Sequence, residues 1–341
     1  MIEVDSLKKI YVRGSLLKYR HTAAEGVSFK VDNEAALGII GESGCGKSTV
    51  AKMITRLTGI TEGRIILDGE DVTSFRGEAL KKYRKKVQLL FQNPASSLDP
   101  RMTVESSIME ALLNYGIKFE TENQKQVYLN ELMHKVGLLH KHLYRYPREL
   151  SGGQIQRAVL ARIISMRPSV LIADEPTSML DVSVQAQVLH MIKKLQYNLG
   201  LSLILISHDL DVIRIMCDDA IVMYRGQIIE SAPANELYSN PLHPYTKRLM
   251  KKFYVDYGAD ECCEDEYLNN PRVIKISRTE PRKGCMYVDS CPFAESACRV
   301  TVQEKFFKDD RKECGNAGTS EDSGHSGHMV KCLHPFAGDL T

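Results

Sequence analysis

No stretch of this chain approaches the ~20 consecutive apolar residues that cross a bilayer as a helix, so no membrane span is expected. The opening residues Met1-Ile2-Glu3-Val4-Asp5 lack a basic n-region and an apolar core, so no export signal is visible and the cytosol is the expected compartment. An excess of one charge is also missing. Lys and Arg number 45 against 43 Asp and Glu, leaving +2, which gives no bias toward polyanions and no expectation of a nucleic-acid partner. There is no internal repeat, no heptad run, and no C-x2-C pair of the kind a structural zinc site uses. What remains is the profile of a globular protein, 43% hydrophobic and 26% charged over 341 residues, enough for one large domain or two modest ones.

The stretch Gly41-Glu42-Ser43-Gly44-Cys45-Gly46-Lys47-Ser48 fits the phosphate-binding pattern G-x-x-x-x-G-K-S/T. Residues 35–40 before it read as a short buried strand. Residues 49–57 after it read as a helix with Val50, Met53, Ile54 and Leu57 on one face. In that context the glycines let the backbone curl, so that successive N–H groups face the β- and γ-phosphates of a nucleotide. The positive end of the helix adds to the same field. Lys47 supplies a point charge, and the Ser48 hydroxyl can ligate Mg²⁺. A glycine-rich turn with a chance lysine is the competing reading, and the strand and helix flanks weigh against it.

Around this loop the chain alternates. Residues 2–11, 27–31 and 64–67 read as strands of a small antiparallel sheet, with Asp68-Gly69 as a turn. Tyr11 ends the first strand, where an aromatic ring can stack on a purine or serve as an ordinary edge-strand tyrosine. The basic stretch 77–86 reads as a solvated helix face, and 87–91 as a buried strand ending at Gln92. From Thr103 to Ser165 the pattern is helical, with Thr103 as a cap and Leu150-Ser151-Gly152-Gly153-Gln154 opening the last helix. Residues 170–173 form a strand ending in Asp174-Glu175, Asp181 can cap the next helix, and 203–206 form a strand ending in Ser207-His208-Asp209. A closing strand pair follows at 220–224 and 227–230. Alternation of strand and helix implies an α/β fold, a mostly parallel sheet with helices on both faces and an inserted helical block. Polar residues stand at the carboxyl ends of the strands, where open α/β sheets place ligands.

Beside a phosphate loop those residues acquire chemical meaning. One of Asp174 and Glu175 can hold the Mg²⁺ shell while the next polarises water against a γ-phosphate. Gln92 can reach the metal or the water, and His208 the γ-phosphate. Ser151 and its glycines form an anion site at a helix start that need not serve the nucleotide of its own chain.

Together these motifs resemble the ATP-binding cassette (ABC) ATPases, whose signature is Leu-Ser-Gly-Gly-Gln, here residues 150–154, placed after the phosphate loop and before the Asp174-Glu175 strand. The resemblance covers residues 1–252, with the helical subdomain at about 93–165. It implies a P-loop NTPase cassette: a mixed sheet with a parallel core, an N-terminal antiparallel β-subdomain and an inserted helical subdomain. It implies a head-to-tail pair of ATPase subunits. Each ATP would lie between Gly41, Glu42, Ser43, Gly44, Cys45, Gly46, Lys47, Ser48 and Thr49 of one subunit and Ser151, Gly152, Gly153, Gln154 and Asp181 of the other. By the same resemblance Tyr11 stacks on the base, Glu175 is the general base, and Gln92 and His208 complete the catalytic set. Mg²⁺ would be held by Ser48, Gln92 and Asp174. Met179, where the family usually has a small residue, and Cys45 are departures. Cys45 carries the expectation of thiol-reagent sensitivity relieved by ATP.

Residues 91–101, 146–150 and 241–246 are similar to the peptide/nickel importer branch. That implies a subunit on the cytoplasmic face of the membrane, energising uptake of di- or oligopeptides or nickel. Two integral membrane permease subunits and an extracellular binding protein would complete the assembly. A soluble ABC ATPase acting on ribosomes or DNA is the alternative, disfavoured because the chain has one cassette and no coiled coil. Residues 253–341 form an extension in which 257–270 are acidic and 315–328 rich in Gly, Ser and Asn, a composition expected to be mobile. Of nine cysteines, seven lie from Cys262 onward. Clustered cysteines in a reducing compartment point to a metal. Cys285, Cys291, Cys298 and Cys332 resemble the branch's C-terminal element, which in some members holds a 4Fe–4S cluster; zinc and metal-free thiols are the other readings. Cys314 is a spare ligand, and Cys262-Cys263 are expected to be free.

Overall fold

The computed structural model describes residues 1–13, 19–178, 180–256, 284–302, 304–308, 327–333 and 335. Met179, Cys262, Cys263, Cys314 and the acidic run 257–270 lie outside the described residues, as do 315–326 of the polar tail.

In chain order the elements are β1 (Ile2–Arg13), β2 (Tyr19–Val31), β3 (Ala36–Ile40), α1 (Lys47–Ile54), β4 (Glu62–Leu67), β5 (Glu70–Asp71), α2 (Gly77–Lys86) and β6 (Val87–Leu90). The helical block holds α3 (Val104–Asn114), α4 (Glu122–Lys135) and α5 (Gly152–Ile164). Then follow β7 (Val170–Asp174), α6 (Val182–Leu199), β8 (Ser202–Ile206), α7 (Leu210–Met216), β9 (Asp219–Tyr224), β10 (Gln227–Pro233), α8 (Ala234–Ser239) and α9 (Pro244–Asp256). The described part closes with β11 (Glu304–Lys308) and β12 (Gly327–Lys331).

Two sheets result. A small antiparallel one has the order β2-β1-β4-β5, and a larger mixed one has the order β11-β12-β10-β9-β3-β8-β7-β6. Its centre, β9-β3-β8-β7-β6, is parallel throughout. Strand side chains alternate between faces, and the sequence uses both. Leu37 and Ile39 of β3 and Ile204 and Ile206 of β8 pack with α1 and the small sheet. Ala36, Ile40, Leu203 and Leu205 pack on the opposite face with α5, α6 and the helical block. Burial on both faces explains why these strands read as continuous apolar runs.

Helix starts follow the expected caps: the side chains of Thr103, Ser151 and Asp181 each accept an N–H from the first turn of α3, α5 and α6. Three expectations need correction. Helix α1 ends at Ile54, because Arg56 turns to φ 56°, and Leu57 is 50% exposed instead of lying on the apolar face. Strand β2 begins at Tyr19, well before residue 27, because it follows β1 along its length. Gly327 and His328, read as part of a mobile tail, start β12, which pairs antiparallel with β10 and extends the main sheet. His328 is 1% exposed. Its ring lies 2.7 Å from the fully buried Glu230 carboxylate and 2.9 Å from Glu236. Burial alone would depress its pKa. The hydrogen bonds to Glu230 and Glu236 outweigh burial and raise it, so the imidazolium form is held between two carboxylates.

Candidate active site

The carboxyl ends of β3, β6, β7 and β8 carry the phosphate loop, Gln92, Asp174-Glu175 and His208. They meet at a cavity of about 790 Å³ lined by Tyr11, His21, Ala23, Ser43, Gly44, Gly46, Lys47, Ser48, Thr49, Gln92, Glu175 and His208. Gly46 stands at the N-cap of α1 with φ 112°, and a Cβ there would sit 2.3 Å from the Ala23 carbonyl oxygen, so only glycine fits. The start of α1 and its unpaired N–H groups therefore open onto the cavity.

Lys47 is 5% exposed. Its Nζ donates to the carbonyl oxygens of Gly41 at 2.5 Å and Glu42 at 3.0 Å, so the ammonium is folded across its own loop. Cys45 turns inward: its Sγ lies 3.8 Å from Lys47 Nζ, the residue is 6% exposed, and burial pushes the thiol pKa up. The expected reactivity is thereby corrected, since thiol reagents attack the exposed thiolate. The Cys45 backbone is engaged as well: its N–H donates to the Glu42 carbonyl at 3.2 Å and its carbonyl accepts the Gly226 N–H at 2.7 Å.

Asp174 ends β7 at 6% exposure. Burial raises its carboxyl pKa, against a hydrogen bond from the Ser48 side chain. Ser48 and Asp174 thus offer adjacent oxygen donors beside the loop, a donor set that suits Mg²⁺. Glu175 adopts φ 46°, a left-handed conformation rare outside glycine, and its N–H donates to the Ile206 carbonyl at 2.9 Å. Its carboxylate accepts from Gln92 Nε2 at 2.8 Å and lies 3.8 Å from His208 Nδ1. Glu175 is largely shielded and His208 largely open, with side-chain exposures of 19% and 68%.

Tyr11 faces the cavity from β1, and His21 sits directly opposite it on β2. His21 and Ala23 were missed in the sequence. Register carries the signal, because residues opposed in an antiparallel pair share a face. Ser151, Gly152, Gly153, Gln154 and Asp181 do not line this cavity. Ser151 Oγ accepts from Gln154 N at 3.3 Å and Gln154 Oε1 accepts from Ser151 N at 3.0 Å, a reciprocal cap that fixes the exposed start of α5. The Asp181 carboxyl pKa is lowered by the Ser183 hydroxyl and the Val184 N–H.

A second cavity lies by the first turn of α9. Cys285, Cys291, Cys298 and Cys332 line it together with His243, Val288 and Phe293, and its free volume is about 10 Å³. Burial raises the Cys285 thiol pKa and pushes that of Cys291 to about 11. Among the described residues, no three His, Cys, Asp or Glu side chains are grouped to hold a metal ion.

The family model for ABC transporters matches residues 24–178, and the model described as oligopeptide/dipeptide transporter, C-terminal region, matches 229–298. The chain is 38% identical over 309 residues to the oligopeptide transport ATP-binding protein AppF of Bacillus subtilis, covering 89% of this chain and 93% of that one. The chain belongs to the ABC transporter ATP-binding proteins. It is also 40% identical over 294 residues to the di/tripeptide transport ATP-binding protein DppF of Pseudomonas aeruginosa, covering 85% of this chain and 88% of its relative. A dimeric bacterial ABC transporter cassette superposes with a TM-score of 0.62 at 25% identity, over 69% of this chain and 99% of that one. A cassette solved in a post-hydrolysis dimer with ADP and phosphate gives 0.61, with the same identity and coverage. The expected α/β cassette fold is borne out, and the protein is an ABC ATPase that binds ATP and couples its hydrolysis to transport. Among the described residues no helix is long and apolar enough to cross a membrane.

Proposed function

We propose that this protein is one of two ATPase subunits that drive import of di- or oligopeptides from the cytoplasmic face of the membrane, docked on two permease subunits served by an external binding protein. One observation carries the reading. A single chain joins a carboxylate held over a phosphate-loop cavity to a C-terminal region whose family model is named for oligopeptide and dipeptide transporters. Relatives named for peptides favour a peptide over nickel, and transport over a soluble role.

In this reading the loop from Gly41 to Thr49 binds the phosphates through its N–H groups and Lys47, and Tyr11 stacks on the base. Ser48, Gln92 and Asp174 would hold Mg²⁺, which neutralises charge on the β- and γ-phosphates when bound. Glu175 accepts a proton from water as its oxygen attacks the γ-phosphorus in line. The bond to the bridging oxygen breaks, and the electron pair leaves with ADP. Gln92 at 2.8 Å orients the carboxylate, and His208 at 3.8 Å stands beside it. Ser151, Gly152, Gly153, Gln154 and Asp181 close on the ATP of the partner subunit. Ser151, Gly152 and Asp181 are exposed and none of the five lines the chain's own cavity, which supports that role.

Glu175→Gln is expected to retain ATP binding and to lower turnover by about 10²- to 10⁴-fold. Full turnover in that variant would remove the assignment. Co-purification with an integral membrane permease tests the transport reading, and recovery on ribosomes or DNA would reverse it.

For the thiol cavity the reading is a 4Fe–4S cluster held by Cys285, Cys291, Cys298 and Cys332. Four thiols on one cavity fit its donor set. Zinc on the same thiols and metal-free thiols are the alternatives, and among the described residues no three ligands are already grouped to favour either metal. Anaerobically purified protein should show visible absorption that Cys291→Ser removes. Colourless protein carrying one equivalent of zinc would overturn this.

A further inference from the structure

Beside the phosphate loop, outside the lining of the nucleotide cavity, stands Tyr245. It is 2% exposed, in the first turn of α9, and its phenol oxygen accepts the Glu42 N–H at 3.2 Å. Lys47 Nζ holds the Glu42 carbonyl at 3.0 Å. The second residue of the loop is therefore fixed through both its amide and its carbonyl, one by α9 and one by the phosphate-binding lysine.

Tyr245 is tied in the other direction as well. Its N–H donates to His243 Nδ1 at 3.0 Å. That bond makes Nδ1 an acceptor and leaves the proton on Nε2. Nε2 lies 3.9 Å from Cys285 Sγ, on the wall of the four-thiol cavity. The Tyr245 ring packs on Tyr224 at the end of β9 and on Tyr287 of the cysteine segment, with centroids 4.6 and 5.5 Å away. Tyr287 sits between Cys285 and Cys291 in sequence, and Tyr224 and Tyr287 meet edge-on at 5.4 Å.

We propose that Tyr245 is a positioning residue for the phosphate loop and carries the chemical state of the four-thiol cavity to the ATP site. The path is contiguous: Cys285 Sγ, His243, the Tyr245 backbone, the Tyr245 phenol, the Glu42 amide. A thiol that is ligated or oxidised occupies a different volume from a free one, and a close-packed interior passes such a displacement on to its neighbours. His243 has little room to absorb it, since its own backbone N–H is held by Glu230 at 3.0 Å and its ring faces Tyr287. Tyr245 touches no reacting atom and acts only through the placement of Glu42.

The test is ATP affinity and turnover in the full chain carrying Tyr245→Phe, Cys285→Ser, or both. Tyr245→Phe keeps the ring stack and removes the oxygen on Glu42. The ATP Kd should rise roughly two- to ten-fold, the worth of one hydrogen bond. Meanwhile kcat at saturating ATP stays within about two-fold. A purely structural role would lower the melting temperature without moving Kd. Cys285→Ser should shift Kd by roughly two-fold or more in the otherwise wild-type chain and leave it unmoved when Tyr245→Phe is already present, the non-additivity of a coupled pair. If Cys285→Ser melts early, Cys298→Ser, on the same cavity, takes its place. Wild-type ATP affinity in Tyr245→Phe overturns the proposal. So does a cysteine effect that is absent, or that persists in full without the phenol oxygen.

Discussion

The ATP cavity and the cysteine cavity stand on either side of Tyr245 and are made of different material. The first is open, about 790 Å³, and is shaped mainly by backbone: a glycine-lined loop, the start of α1 and the ends of parallel strands. The second has about 10 Å³ of free space and is shaped by side chains, four of them thiols. Backbone N–H groups keep their charge distribution at every pH, so the first site stands ready for an anion. Thiols become good ligands only on losing protons, and burial raises the Cys285 and Cys291 pKa values, so any ligand of the second would first have to displace those protons. One site is preorganised for an anion by the fold; the other is closed around protonated thiols.

Lys47→Ala breaks this comparison most sharply. It removes the charge from the ready-made site, and the ATP Kd should rise on the order of a hundred-fold. Thermal stability and any visible absorption of the cysteine segment should stay as they were. Calorimetric titration with ATP checks the first, and a melt with a spectrum the second. A fall in both sites together would mean that they are not separately built.

Next in size is His328, which fastens β12, and with it Cys332, to the body of the protein. Its folded-state pKa is raised above the ordinary 6.5. The stability it contributes is therefore fully present below pH 6.5 and fades as pH rises through the higher folded value. His328→Gln should cost about 1–3 kcal/mol at pH 6 and flatten the decline of melting temperature between pH 6 and the alkaline side. ATP affinity should change little. An unchanged pH profile would show that the Glu236–His328–Glu230 bridge is not carrying a proton.

Smallest is Cys45→Ser. The thiol is buried and raised, so iodoacetamide should label folded wild-type protein slowly at this position, with or without ATP, and the variant should keep ATP affinity within about two-fold. Rapid labelling that ATP blocks would restore the reactive loop thiol that spacing alone implied.

Local chemistry was the legible part. The phosphate loop, the caps at Thr103, Ser151 and Asp181, and the doubly buried strands are properties of a few neighbouring residues, and the sequence carries them openly. The misses are properties of pairing across distance. His21 enters the ATP cavity because register sets it opposite Tyr11. Gly327 and His328 look like tail by composition, yet Glu230, 98 positions away from His328, turns them into a buried strand. Cys45 reads as exposed from its place in a loop, but its side chain turns inward against Gly41 and Lys47, which spacing does not show. Residues 241–246 were legible as a family mark, while the reach of Tyr245 to Glu42, across 203 positions, was not.

Glu175 carries one further implication. At φ 46° the backbone sits where every side chain but glycine is uncomfortable, by about 1–2 kcal/mol. Glycine would relax that discomfort and delete the carboxylate; aspartate, more at ease there, would withdraw the oxygen atoms by a methylene from Gln92. The position thus offers evolution no exchange that is both calmer and competent, and a tense backbone at the end of β7 should persist for as long as the chain burns ATP.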